Sequence, residues 1–263
     1  MNRALLVGIN DYPDAPLNGC VNDVQDMANM LVDRAGFAHA DVRLITDRRA
    51  TTQAILERLA WLVHGARSGD RILFHFSGHG AQLPTRNPAG EVDKLDEVIC
   101  PVDYDWTDEH AIRDKMLARI FSPVPEGVEF VWISDSCHSG DLTREIERKP
   151  RTMRAPVDIA WRLQTATKAQ RKPLSFVRAV NGLNVALIAA CKSNQTASDA
   201  VFKGTPNGAL TWALLKELNE PGGREQSLTT LVIGTRRRLK EANFHQEPQL
   251  EGSVAIMNKG FLA

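Results

Sequence analysis

The sequence has no excess of either charge: 32 Lys plus Arg balance 32 Asp plus Glu. No global field therefore recruits nucleic acid or an anionic membrane surface. No apolar run is long enough to span a bilayer, and the apolar stretch at the start is too short and too early for a signal peptide. The expected location is the cytoplasm. Cysteine is scarce, and Cys20, Cys100, Cys137 and Cys191 stand far apart with no CxxC pair. That spacing argues against a zinc site and against a secreted disulfide framework, so reduced thiols are expected. No glycine-rich phosphate loop follows the first strand-like segment, where Gly8 stands alone among bulky residues. A nucleotide-binding α/β protein is therefore disfavoured. No internal repeat is visible. What remains is a chain of 263 residues, 43% hydrophobic and 24% charged, within the range of one α/β domain.

Along the chain, residues 4–9 (ALLVGI) read as a strand buried on both faces. A Pro/Asn/Asp/Gly loop follows. Residues 21–35 have helical spacing, with Val21, Val24, Met27, Met30 and Leu31 on one stripe. Residues 42–45 form a short strand. Thr51 or Thr52 can cap a helix whose Ile55, Leu59 and Leu62 share a face. Residues 72–76 are a third strand. Strand–helix alternation of this kind predicts a parallel sheet covered by helices on both faces, with its loops of interest at one edge. Residues 82–94 read as a polar surface loop, 97–103 as an edge strand or hairpin, 114–121 as a helix, and 129–134 as the fourth main strand. Residues 184–190 supply a fifth, 207–218 and 228–242 two helices, and 248–257 a final strand.

Two of these strands end alike. RILFHFSGHG (71–80) and EFVWISDSCHSG (129–140) are each an apolar run closing on a polar turn. Residues two apart on a strand share a face, so Ser77 pairs with His79 and Asp135 with Cys137. If the strands are neighbours, a thiol and an imidazole meet at the carboxyl edge of the sheet. An imidazole can take the thiol's proton and later protonate a leaving amine. The amides of Gly80 and Cys137 could then hold the oxyanion of acyl transfer. Asp135 lies too close to a thiolate to promote its ionisation and makes more sense in a pocket for a cation, with Asp23 as a second carboxylate. His138 competes with His79, but adjacent side chains on an extended segment diverge, which favours His79. His75 reads as structural. A helix-N-terminal role would also account for Asp23.

These motifs resemble the metacaspase and orthocaspase branch of the caspase-like cysteine peptidases. The resemblance covers nearly the whole chain and includes ALLVGINDYPDAPLNGCVNDV, HFSGHG, DSCHSG and PNGALTWALL. It implies a caspase–haemoglobinase fold, an α/β architecture with a mostly parallel central sheet and helices on both faces, and peptide-bond hydrolysis by a Cys137–His79 dyad. It also implies that Cys20, Asp23, Ser77 and Asp135 line the pocket for the substrate residue on the acyl side of the cut bond. Two carboxylates there suit Arg, and next Lys. No triad-completing acid can be assigned. The rival within this class is a non-catalytic, caspase-like binding or scaffold module.

Many metacaspases bind calcium through aspartates. The corresponding candidates are Asp93 or Asp96, and Asp114, but Lys115 and Arg144 stand where further acids are expected. Cationic side chains repel a hard cation that needs several oxygen ligands, so calcium is not expected to be required, and no other cofactor is implied. Taken as one domain over 1–263, the chain divides into a large-subunit-like part (1–140), a basic connector (141–180) and a small-subunit-like part (181–263). The connector reads as exposed and cleavable, with Arg148, Arg151, Arg154, Lys168 and Arg171 as processing sites in a zymogen cut by itself or by an upstream protease. The expected partners are proteins or peptides carrying Arg or Lys, and the chain is expected to be a monomer.

Overall fold

The computed structural model describes residues 1–84, 95–138, 148–167, 176, 180–192 and 194–262. The chain opens with β1 (Asn2–Gly8), α1 (Cys20–Arg34), β2 (Val42–Thr46), α2 (Thr52–Val63) and β3 (Arg71–Ser77). It continues through β4 (Gly80–Pro84), β5 (Leu95–Ile99), β6 (Ile112–Arg113), α3 (Asp114–Phe121) and β7 (Glu129–Asp135). The remainder is β8 (Lys149–Pro150), α4 (Val157–Thr167), β9 (Ala186–Ala189), β10 (Ser198–Phe202), β11 (Thr205–Gly208), α5 (Ala209–Leu218), α6 (Leu228–Glu241), β12 (Gln249–Gly252) and α7 (Val254–Met257).

The main sheet has the order β12-β9-β7-β3-β1-β2, parallel except for β12. Its strands are buried on both sides because alternate residues feed two cores. Leu5, Val7, Phe74, Phe76 and Trp132 pack with Ile55, Leu59 and Leu62 of α2 and Phe121 of α3. Leu6, Leu73, Val131 and Ile133 pack with Val24, Met27 and Leu31 of α1 and with Leu210 and Leu214 of α5. This two-sided burial is why the strands read as unbroken apolar runs. At the helix starts, Thr51 accepts from the Ala54 amide at 3.3 Å and Ser227 from the Thr230 amide at 3.2 Å, both as N-cap side chains.

Beyond β1 the chain turns to β2 on one side, and β3 lies on the other. The crevice at the carboxyl ends of β1 and β3 is therefore a topological switch point, where open α/β sheets hold their ligands. Among the described residues no helix is long and apolar enough to cross a membrane.

Several stretches differ from the sequence reading. Part of the expected 82–94 loop is β4, with Ala81 and Leu83 buried and Gln82 half-buried; residues 85–94 lie outside the described residues. β5 is not an edge, because β4 and β6 flank it. The expected helix start at Asn207 is strand: Asn207 and Gly208 pair with Ala200 and Asp199, and α5 begins at Ala209. The last strand is shorter, running Gln249–Gly252 before α7. The largest departure is in the connector. Its start is not a solvated loop, because β8 pairs with β10 and Arg151 is fully buried.

Candidate active site

β3 and β7 are adjacent and in register, Ser77 opposite Asp135. His79 and Cys137 each stand two residues past that pair, so the two motifs meet at one sheet edge. The loop after β1 completes the surroundings of His79. Its Nε2 lies 2.7 Å from the carbonyl oxygen of Ala15. A carbonyl can only accept, so Nε2 carries the proton and Nδ1 presents its lone pair. Nδ1 has no well-formed hydrogen bond among the described residues, and the backbone of Arg151 runs beside the ring. The His79 amide donates to the Tyr12 hydroxyl at 3.1 Å, and that hydroxyl donates to the Cys100 carbonyl at 2.8 Å. Burial pulls the His79 pKa down to about 4, against the opposing effect of the Ala15 bond, so the imidazole is neutral near pH 7. The group that orients the histidine is thus a carbonyl oxygen rather than a carboxylate.

The Cys137 thiol donates to the carbonyl of Gln195 at 3.1 Å, and the Cys191 thiol lies 3.9 Å from it. The amides of Cys137 and Gly80 converge on a single oxygen, the carbonyl of Arg151, at 3.0 and 3.1 Å. That is the arrangement of an oxyanion hole with a peptide carbonyl already in it. Gly80 cannot be larger: a Cβ there would lie 2.5 Å from the His138 ring and 2.6 Å from the Cys137 carbonyl. His138 is buried edge-on against Phe176 with ring centroids 4.6 Å apart, and burial lowers its pKa to about 4. Its position is beneath Gly80, as packing.

Arg151 fills the pocket expected for a substrate side chain. Its Nη2 donates to Asp23 Oδ2 at 2.8 Å and to Asp199 Oδ1 at 2.9 Å. Its Nη1 donates to Ser77 Oγ at 2.7 Å and to the Asp135 carbonyl at 3.1 Å, and lies 3.3 Å from Asp135 Oδ1. Asp23, Ser77, Asp135 and Arg151 are all without solvent exposure. A buried guanidinium is tolerable only when paired and hydrogen-bonded in this way. Ser77 also donates to Asp23 Oδ2 at 2.7 Å. Asp135 is held by the amide and hydroxyl of Thr211, at 2.9 and 2.7 Å, in the first turn of α5, where a helix favours negative charge. Burial pushes its pKa up to about 6, Arg151 opposes this, and neighbouring Asp23 adds to it. Cys20 is buried near Ser77, and desolvation raises its thiol pKa. His75 is buried as structural packing, 3.2 Å from the Thr211 hydroxyl.

Sequence reasoning missed two parts of this pocket. Asp199 is the third carboxylate, oriented by the amides of Asn18 and Gly19 at 2.8 and 3.0 Å. Gly208 is a wall: a Cβ there would come within 2.3 Å of Asp135 and 2.4 Å of the Arg151 guanidinium. The only sequence signal for Asp199 was an acid inside a run of small residues; it lies in the first strand of the hairpin that ends at Gly208.

The main chain on both sides of Arg151 is held as well. Lys149 and Pro150 pair antiparallel with Asp199 and Ser198. The Arg151 amide donates to Ala197 O at 3.0 Å, and the Met153 amide donates to Gly80 O at 3.0 Å. Of the other processing candidates, Arg148 lies outside the pocket at Phe244, and Arg154 is exposed. Lys168 and Arg171 lie outside the described residues, as do Asp93 and Arg144.

Asp96 and Asp114, the described residues among the calcium candidates, do not fit a cation. Asp96 Oδ2 accepts from Arg113 at 2.7 Å, and Oδ1 is 3.0 Å from Lys115 Nζ. Asp114 turns one oxygen onto the Lys115 amide at 2.7 Å. Two protein cations thus stand where a metal would need oxygen ligands. Among the described residues no group of three His, Cys, Asp or Glu side chains could hold a metal ion.

A thiol and an imidazole just past the ends of adjacent parallel strands, with two backbone amides converging on one carbonyl beside them, fit a cysteine peptidase of caspase-like fold. Caspase-1 from Spodoptera frugiperda shares that fold, with TM-score 0.60 at 13% identity over 95% of this chain and 86% of its own. A crystal structure from Geobacter sulfurreducens is more similar, with TM-score 0.71 at 26% identity, covering 99% and 98%. Residues 2–144 match the family model described as metacaspase, peptidase C14 domain. Metacaspase-1 of Meyerozyma guilliermondii is 31% identical over 95% of this chain and 69% of its own length. Metacaspase-1A of Aspergillus niger is 32% identical over 97% and 71%. The chain belongs to the metacaspase family of cysteine peptidases.

Proposed function

We propose that this protein is an endopeptidase that cuts after Arg, and less well after Lys, and that its first substrate is its own Arg151–Thr152 bond. The observation that carries this reading is Arg151 itself, with its guanidinium among three carboxylates and its carbonyl on two amides. In the reaction, His79 Nδ1 takes the proton of the Cys137 thiol. The thiolate attacks the carbonyl carbon, and the amides of Gly80 and Cys137 receive the developing oxyanion. His79 then protonates the leaving amine, and an acyl-thioester remains on Cys137. Water, deprotonated by His79, hydrolyses it and frees the thiol. Ala15 O keeps Nε2 protonated throughout, so Nδ1 remains the working atom. Arg is favoured over Lys because the pocket offers acceptors to both Nη atoms, whereas one ammonium cannot reach both sets.

The chain before the cut, held along β10, makes the uncut protein a zymogen whose cleft is filled by its own connector. An upstream protease could release it equally well at exposed Arg154. Arg113 and Lys115 substitute for a calcium requirement. A reducing compartment, the cytoplasm, suits the buried thiols. Fluorogenic peptides differing only in the residue before the reporter test the reading. Arg should be cleaved at least tenfold faster than Lys, because a bidentate charged contact is worth about 1.5–3 kcal/mol, and Asp should not be cleaved. Rates should be the same in excess chelator. Preference for Asp would reject the pocket assignment, and loss of activity in chelator, restored by calcium, would reject metal independence.

A further inference from the structure

The pose of the connector carries information beyond the pocket of Arg151. Counting back from the bond after Arg151, Arg148 is the fourth residue on the acyl side. Its guanidinium lies over the ring of Phe244, with its central carbon 4.0 Å from the ring centroid. Its Nη1 donates to the carbonyl of Asn243 at 2.9 Å. Both contacts come from the turn that ends α6. Asn243 has φ +59°, the left-handed conformation with which helices commonly terminate. A helix C-terminus carries partial negative charge on its last carbonyls, and it favours a cation.

Phe244 is not a loose surface ring. It is 8% exposed and packs on Phe202 at 5.5 Å, and Phe202 stacks on Trp212 at 4.1 Å with planes 8° apart. Trp212 belongs to α5 and Phe202 to β10, the two elements that also build the pocket of Arg151. The three rings form a pile whose outer face is presented to whatever lies four residues before the cut. In the intervening positions, Lys149 reaches the Pro16 carbonyl at 3.2 Å and Asn18 Oδ1 at 3.5 Å, at an exposed edge.

We infer that Phe244 and the Asn243 carbonyl form a second specificity site for a guanidinium, so that preferred substrates carry an Arg-Xaa-Xaa-Arg sequence in extended form. This deepens the arginyl-peptidase reading and rests on it. The distance between the two sites is set by the antiparallel pairing of the peptide with β10, which makes the spacing a property of the fold and not only of this connector.

The test compares acetyl-Arg-Lys-Pro-Arg and acetyl-Ala-Lys-Pro-Arg reporter peptides on the full chain and on Phe244→Leu, which keeps apolar packing and removes the π face. The wild type should favour the first peptide about fivefold in kcat/KM, through KM, the value expected for a partly exposed cation–π contact. In Phe244→Leu the ratio should fall below about twofold, and in Phe244→Tyr it should persist. Equal cleavage of both peptides by the wild type, or a ratio unchanged in Phe244→Leu, overturns this inference alone. Cleavage of neither peptide overturns it together with the arginyl-peptidase reading.

Discussion

At the scale of single residues, the site depends on atoms that are missing as much as on those present. Gly208 has an ordinary extended backbone, φ −71° and ψ 137°, so alanine would be conformationally acceptable there. Its added methyl would nevertheless lie 2.4 Å from the guanidinium and 2.3 Å from Asp135. Gly208→Ala should therefore fold but lower kcat/KM for arginyl peptides by about 100-fold, the loss expected from an ångström-scale displacement of bound substrate. Circular dichroism beside the peptide assay checks both halves, and near-wild-type cleavage would show that the wall is elsewhere. Three carboxylates stand against one guanidinium, and Asp135, its pKa raised first by burial and further by Asp23, is the one Arg151 does most to keep charged.

At the scale of elements, the strands were legible because burial on both faces leaves an unbroken apolar signature, as in β1, β3 and β7. The register of β3 with β7, strands of seven residues each, brings Ser77 beside Asp135 and His79 near Cys137. Helix α3 was readable to the residue, 114–121. The β10–β11 hairpin was not. Its strands mix a buried acid and a glycine, which adjoin Arg151, with an exposed Val201, so no clean alternation of apolar and polar residues marks them. For the same reason Asn207 and Gly208 were absorbed into the helix that follows. The start of the connector was misread from its charge. A run of basic residues is ordinarily a solvated face, and nothing local distinguishes Arg151, which enters an acidic pocket built from α1, β3, β7 and β10, from Arg154, which does not. The orienting group of His79 was invisible because a backbone carbonyl leaves no trace in a sequence.

At the scale of the whole molecule, the buried titrating groups fix how stability responds to acid. His75, His79 and His138 all have pKa values lowered to about 4 by burial. Folded, they stay neutral where the unfolded imidazole, at 6.5, would take a proton, so their contribution is full above pH 6.5 and is lost as pH falls towards 4. Asp135 works oppositely: its folded value of about 6 exceeds the unfolded 3.8, and its stabilisation is present at low pH and lost as pH rises through 6. Three groups outweigh one, so stability should fall by roughly 2 kcal/mol per pH unit near pH 5. Urea midpoints measured from pH 7 to 4.5 should decline steadily, and a flat profile would mean that the histidines are not buried neutral.

The connector binds the molecule together in another sense, since it ties β10 to α1 and to the end of β3 through Arg151. Intact mass spectrometry of freshly purified wild type, Cys137→Ala and Arg151→Gln tests this most directly. The wild type should yield fragments 1–151 and 152–263, and both variants should keep that bond whole. Equal cutting of the bond in Cys137→Ala, or a wild type that cleaves arginyl peptides while cutting itself only elsewhere, would contradict the account.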